Sequence, residues 1–177
     1  MTQQNLVACI VAPIDRYCFT DVAQALDMAQ CEILSSNMNT LDDRHVVTLC
    51  LKGNWGVLVK TESALKRMAK ANQWEMICQR TEPKENDRAL LPYTVSCMSI
   101  DKADIPKHLG GFFTKRACHL LSYNSSRYQS THSRIHMQSV NARVLIPAES
   151  SLGTLREDFY SFCDDHNYEA VLDPDRN

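Results

Sequence analysis

The sequence predicts an α+β protein made of two similar halves, each with the element order β-α-β-β-α-β. Three observations carry this. First, the pattern C-x-[IL]-L-S occurs twice, at Cys31-Glu32-Ile33-Leu34-Ser35 and Cys118-His119-Leu120-Leu121-Ser122, offset by 87 residues. Second, an acidic–basic pair follows an apolar run twice at nearly that offset: Asp15-Arg16 after Leu6–Ala12, and Asp101-Lys102 after Tyr93–Ile100. Repeats of this kind mark duplicated structural units. Third, the hydrophobic period switches between strand-like and helix-like in the same order in both halves.

The elements of the first half follow in turn. Leu6–Ala12 is continuously apolar, as a buried central strand is. Phe19, Val22, Ala23 and Leu26 recur at helical spacing, with Cys18 or Thr20 near the start. Ile33–Thr40 and Val46–Leu51 read as a hairpin turning at Leu41-Asp42-Asp43-Arg44. Gly53 ends it, and Asn54 is a good N-cap for a helix carrying Trp55, Leu58, Val59, Leu65, Met68 and Ala69 on one face. Met76–Arg80 is a last short strand.

The second half repeats the plan. Tyr93–Ile100 is its first strand. Asp104 caps a helix that tolerates Pro106 in its first turn and presents Ile105, Leu109, Phe112 and Phe113. Leu120–Gln129 and Ile135–Ile146 form a longer hairpin, turning near Thr131-His132-Ser133. Ser151 caps a helix bearing Leu152, Leu155, Phe159, Phe162 and Cys163, and Tyr168–Leu172 closes the unit. The charged stretch around Glu82–Arg88 lacks apolar anchors. Two domains at 1–82 and 90–177, joined by a linker at 83–89, are therefore expected. Each is the ferredoxin-like split βαβ, a four-stranded antiparallel sheet with two helices on one face.

Composition narrows the function. The chain has 177 residues, a net charge of −2, 44% hydrophobic and 23% charged residues. That is ordinary globular usage, with no excess positive charge to hold nucleic acid by counterion release. The longest apolar run is far short of the ~20 residues that span a bilayer. No signal peptide is evident at the N-terminus, so a cytoplasmic protein without membrane contact is expected. The eight cysteines then read as reduced and mostly core residues. None stands in C-x2-C or C-x4-C spacing, so neither zinc nor another metal is expected. Only five glycines occur, and there is no phosphate loop, dinucleotide turn, nucleophile elbow or H-E-x-x-H motif. The reading is non-enzymatic, with no cofactor. A thiol enzyme using Cys18 with His45, or Cys118 with His119, is the alternative from another class.

A ferredoxin-like pair with Asp-Arg or Asp-Lys after the first strand resembles tandem ACT domains. More specifically, the chain resembles the glycine cleavage system transcriptional repressor family. Leu6–Ala12 with Asp15-Arg16, Leu51-Lys52-Gly53-Asn54-Trp55 leading to Glu62-Ser63, Ser126-Arg127-Tyr128-Gln129 and Ile135-His136-Met137-Gln138 carry the likeness. It covers roughly residues 5 to 172.

The resemblance implies a regulator that holds a transcription activator in check by protein–protein contact, under an amino-acid signal such as glycine. It places ligands at the loop after the first strand. The implied positions are Asp15, Arg16, Tyr17 and Cys18 in the first half, and Asp101, Lys102, Ala103 and Asp104 in the second. Ser35, Ser36 and Asn37, and in the second half Ser122, Tyr123 and Asn124, would lie opposite. ACT loops commonly carry Pro-Gly after the charged pair, and Tyr17-Cys18 and Ala103-Asp104 stand there instead. Asp104 would repel a ligand carboxylate, which makes the first loop the better site. An ACT-like adaptor with another partner and no ligand is the alternative within the same fold. Open sheet edges favour pairing within the chain or into a homo-oligomer.

Charge is uneven along the second half. Lys102–Arg143 holds seven basic residues and one acid, whereas the stretch from Glu149 onward holds eight acids and two basic residues. The leading expectation is that the two segments neutralise each other across the fold. An acidic partner surface is the next reading. Direct nucleic-acid binding is the last, because neither Val46–Leu51 nor Ile135–Ile146 carries the aromatic motif of an RNA-recognition strand.

Overall fold

A computed structural model describes residues 3–16, 18–82, 89–100, 104–131 and 133–175. The chain forms two compact units, 1–85 and 86–177. The expected linker residues 83–88 and the turn residue His132 lie outside the described residues.

The first unit runs β1 (Gln4–Pro13), α1 (Cys18–Ala29), β2 (Glu32–Leu41), β3 (Arg44–Gly53), α2 (Trp55–Asn72) and β4 (Glu75–Thr81). The second runs β5 (Leu90–Ile100), α3 (Ile105–Lys115), β6 (His119–Gln129), β7 (His136–Pro147), α4 (Leu152–His166) and β8 (Glu169–Pro174). The sheets are ordered β2-β3-β1-β4 and β6-β7-β5-β8, with every neighbouring pair antiparallel. This is the ferredoxin-like fold in each unit. No helix of the described residues is long and apolar enough to cross a membrane.

Strand alternation sets the cores. Leu6, Ala8, Ile10 and Ala12 of β1 point to the helix side and are buried, as do Val47, Leu49 and Leu51 of β3. They meet Val22 and Leu26 of α1 and Leu58, Leu65 and Ala69 of α2. The second core is rich in aromatic rings, whereas the first is aliphatic apart from Trp74. Phe112, Phe113, Phe159 and Phe162 contact one another with ring centroids 4.9–5.8 Å apart. Each core draws all its members from its own unit.

Glycine is scarce, and the helix ends show how the chain manages without it. Gln30, Gln73, Ala117 and Asn167 follow the four helices in the left-handed region, at φ 54–58°. Gln30 and Ala117 are also 87 positions apart, so the duplicated plan extends to the backbone. Left-handed backbone is costly for a residue with a Cβ. The capping amides offset that cost: Gln73 N–H donates to Lys70 C=O, and Asn167 N–H to Asp164 C=O.

Two expected caps and one expected core residue differ from the sequence reading. Asn54 Oδ1 accepts from the Val57 amide at 3.0 Å, as a helix N-cap should. Asp104 sits at the cap position of α3 with helical backbone angles and no side-chain cap bond. Ser151 caps α4 by position only, and its hydroxyl lies 3.0 Å from that of Thr154. Trp55, expected on the apolar face of α2, is 65% exposed. It is the first residue of α2, with the guanidinium of Arg80 from β4 5.9 Å from its ring centre. The buried tryptophan is Trp74, just past the end of α2.

Candidate functional site

The turn after β1 is built by two backbone bonds. The Arg16 amide donates to Pro13 C=O at 3.2 Å, and the Ile14 amide donates to Asp43 C=O at 3.0 Å. The second bond ties this turn to the β2–β3 hairpin, whose Arg44 lies 3.4 Å from Asp43. Asp15 and Arg16 are exposed. Among the described residues, neither side chain is engaged in an ion pair or side-chain hydrogen bond. The guanidinium is thus available to a carboxylate in bidentate geometry, and Asp15 to an ammonium group. Arg44 and the Asp42-Asp43 pair border the turn and were not singled out from the sequence. The signal was present in the register: β1 ends at Pro13, which pairs with Arg44.

The remaining expected residues do not all converge there. Tyr17 lies outside the described residues. Cys18 is fully buried as the first residue of α1, so its thiol belongs to the core rather than to the loop. Burial, and secondarily the Asp21 carboxylate, push its pKa up. Ser35, Ser36 and Asn37 are split by strand alternation. Ser35 pairs with Cys50 and Asn37 with Thr48, on the face without helices, whereas Ser36 pairs with Leu49 on the helix face. Leu49 also pairs with Ala8, five residues before Pro13. At ~3.4 Å per residue, Ser36 stands roughly 17 Å along the strands from the turn. Within one unit these serines do not face the Asp15-Arg16 turn.

In the second unit Asp101, Lys102 and Ala103 lie outside the described residues, and Asp104 is exposed. Ser122 and Asn124 are on the helix-free face, paired with Arg143 and Asn141, and Tyr123 is on the helix face, paired with Ala142. The His108 Nδ1 lies 2.9 Å from the Tyr168 hydroxyl. Burial is the main cause that pushes the Tyr168 pKa up.

A groove of about 540 Å3 runs between α1 and β2. Phe19, Val22, Ala23 and Leu26 of α1, Ile33 and Ser36 of β2 and Leu49 of β3 line it, and Asp27, Gln30 and Cys31 complete the lining.

The eight thiols are free, four of them buried and four half-buried. Burial pushes Cys97 up to about 11 and Cys163 up to about 12. His45 Nδ1 is 3.0 Å from the Thr40 hydroxyl, and the Cys118 thiol donates to Arg116 C=O at 3.6 Å. Neither pair has the thiol–imidazole contact that activates a nucleophile. Among the described residues, no group of three or more His, Cys, Asp or Glu is placed to hold a metal ion.

The opposed charges of the second half do meet across the fold. Arg116 pairs with Asp158 at 2.8 Å, and Arg143 with Asp175 at 2.6 Å.

No protein-family model matches the chain, and no curated protein matches it. Solved structures do. The chain is similar over 100% of its length, and 100% of the other chain, to a "putative glycine cleavage system transcriptional repressor", with a TM-score of 0.73 at 20% identity. An unknown protein from Galdieria sulphuraria matches over 98% of this chain and 99% of its own, with a TM-score of 0.73 at 14% identity. The two-unit ferredoxin-like plan is therefore shared end to end with these two proteins.

Proposed function

We propose that this chain is a cytoplasmic, non-catalytic regulator of the tandem ACT type. It acts by contact with a transcription activator and responds to a small amino acid at the β1–α1 turn. The observation that carries the reading is the exposed Asp15-Arg16 pair after β1, unengaged among the described residues, in a chain whose whole plan is shared with a protein described as a "putative glycine cleavage system transcriptional repressor". The two opposite charges match the ammonium and carboxylate of an amino acid. Arg44 and the Asp42-Asp43 pair extend that polar surface. The ligand acts by binding one state of the protein better than another, because only differential affinity moves an equilibrium. Burial raises the pKa values of the Cys18 and Cys118 thiols, which favours their unreactive protonated form. The outer strand β2 offers an edge for pairing in an oligomer.

Calorimetric titration with glycine and then a panel of amino acids tests the ligand. Saturable heat that is lost in Arg16→Ala is the expected result. No heat at millimolar ligand would leave an adaptor without a metabolite.

A further inference from the structure

The two units solve one packing problem in different ways. At the 87-residue offset, Cys18, Val22 and Leu26 of α1 correspond to Ile105, Leu109 and Phe113 of α3, and Ser36 corresponds to Tyr123. The register agrees: Ser36 pairs with Leu49 and Tyr123 with Ala142, in both cases on the helix face. In the second unit Phe113 is buried, and the half-buried Tyr123 packs against the aromatic core. In the first unit the same place holds Leu26 and the small Ser36. Leu49 raises the floor where Ala142 lies low, but the space above it remains open as the groove between α1 and β2.

That groove has the properties of a small-molecule site. Its volume of about 540 Å3 lies in the range of ligand cavities, ~300–1,000 Å3. Phe19, 43% exposed, lines it with an aromatic ring. The lining holds one charged group, the Asp27 carboxylate, and no cation. A ligand carboxylate is thereby disfavoured and an amine favoured.

We propose that the α1–β2 groove binds a small aromatic amine, whose ring takes the place that Tyr123 fills in the second unit and whose ammonium meets Asp27. Ring stacking on Phe19 and burial against Leu26, Ile33 and Leu49 hold the apolar part. This site differs from the β1–α1 turn and does not rest on the amino-acid reading. A ligand here would bear on α1 and on the outer strand β2 together.

The test is calorimetric titration of the full chain with tyramine, a phenol carrying an aminoethyl group, and with 4-ethylphenol, which lacks the amine. Wild type is expected to bind tyramine saturably at millimolar or lower concentration, and 4-ethylphenol more weakly. Asp27→Asn should weaken tyramine about fivefold and leave 4-ethylphenol unchanged. Ser36→Tyr, which copies the second unit, should abolish binding of both. Ala23→Phe fills the groove from the helix side and should do the same if Ser36→Tyr fails to fold. Arg16→Ala should leave tyramine binding intact. The proposal is overturned if wild type shows no saturable binding, or if both filling variants bind as wild type does. It is equally overturned if Arg16→Ala removes binding, or if a second copy of the chain covers the groove in solution and excludes tyramine.

Discussion

Glu62 shows how single residues tune this protein. Its carboxylate accepts from Lys66 at 2.6 Å, one helical turn on, and from Arg80 of β4 at 3.1 Å. The Lys66 hydrogen bond is the largest cause that holds its pKa below the ordinary carboxylate value, and Arg80 adds to it. A depressed carboxylate contributes stability above its unfolded-state pKa and loses it as pH falls through the folded value. Glu62→Gln is therefore expected to lower stability by about 0.5–1 kcal/mol at pH 7, the scale of a partly exposed pair. That difference should shrink as pH falls below the ordinary carboxylate value and vanish only below the lower folded-state pKa. Denaturant melts of both proteins at pH 7 and pH 3.5 check the sign. The thiols provide a second residue-scale test. Cys18, Cys97, Cys118 and Cys163 are buried with raised pKa values. An aromatic disulfide reagent at pH 8 should reach none of these four before unfolding and all of them after it. Mass mapping of the labelled sites reads this directly, and rapid native labelling of Cys18 would show that its core packing is wrong.

Helix starts separate position from chemistry. Asn54 and Ser151 look alike in sequence, but only the Asn54 side chain receives a backbone amide. Asn54→Ala should cost about 1 kcal/mol, a typical capping loss, and Ser151→Ala only a few tenths. Thermal melts of the two variants decide it, with equal losses counting against the cap geometry. The order of elements was legible because hydrophobic period is a backbone property: every strand and helix expected from it is present. Faces and ends were less legible. Trp55 fits the helical stripe, yet it is the first residue of α2 and 65% exposed, whereas Leu58 three residues on is buried. Trp74 was missed because a lone aromatic after a helix has no period. The serine run of β2 was read as one polar patch although alternation sends Ser35 and Ser36 to opposite faces, and the register shift at Leu34 is not visible in composition. The Asp15-Arg16 turn was found from the repeat, whereas its neighbours at Asp42–Arg44 required the β1–β3 register.

At the scale of the whole molecule, two cores of different composition follow one plan. Each is confined to its own unit, so residues 1–82 expressed alone should fold. A cooperative thermal transition of that fragment by circular dichroism is the expected result, and a gradual melt would show that the aliphatic core is insufficient. Both units keep the duplicated backbone, down to the left-handed residues at Gln30 and Ala117. They have diverged where side chains fill the space between first helix and outer strand, and divergence of that kind leaves function to the sites rather than the fold. The central claim is that the β1–α1 turn of the first unit receives an amino acid. Amide chemical-shift mapping of the full chain during titration with glycine and other amino acids tests it most directly. The account predicts saturable shifts centred on Asp15, Arg16 and the adjoining Asp42–Arg44 amides. Shifts confined to other residues, or none at millimolar ligand, would contradict it.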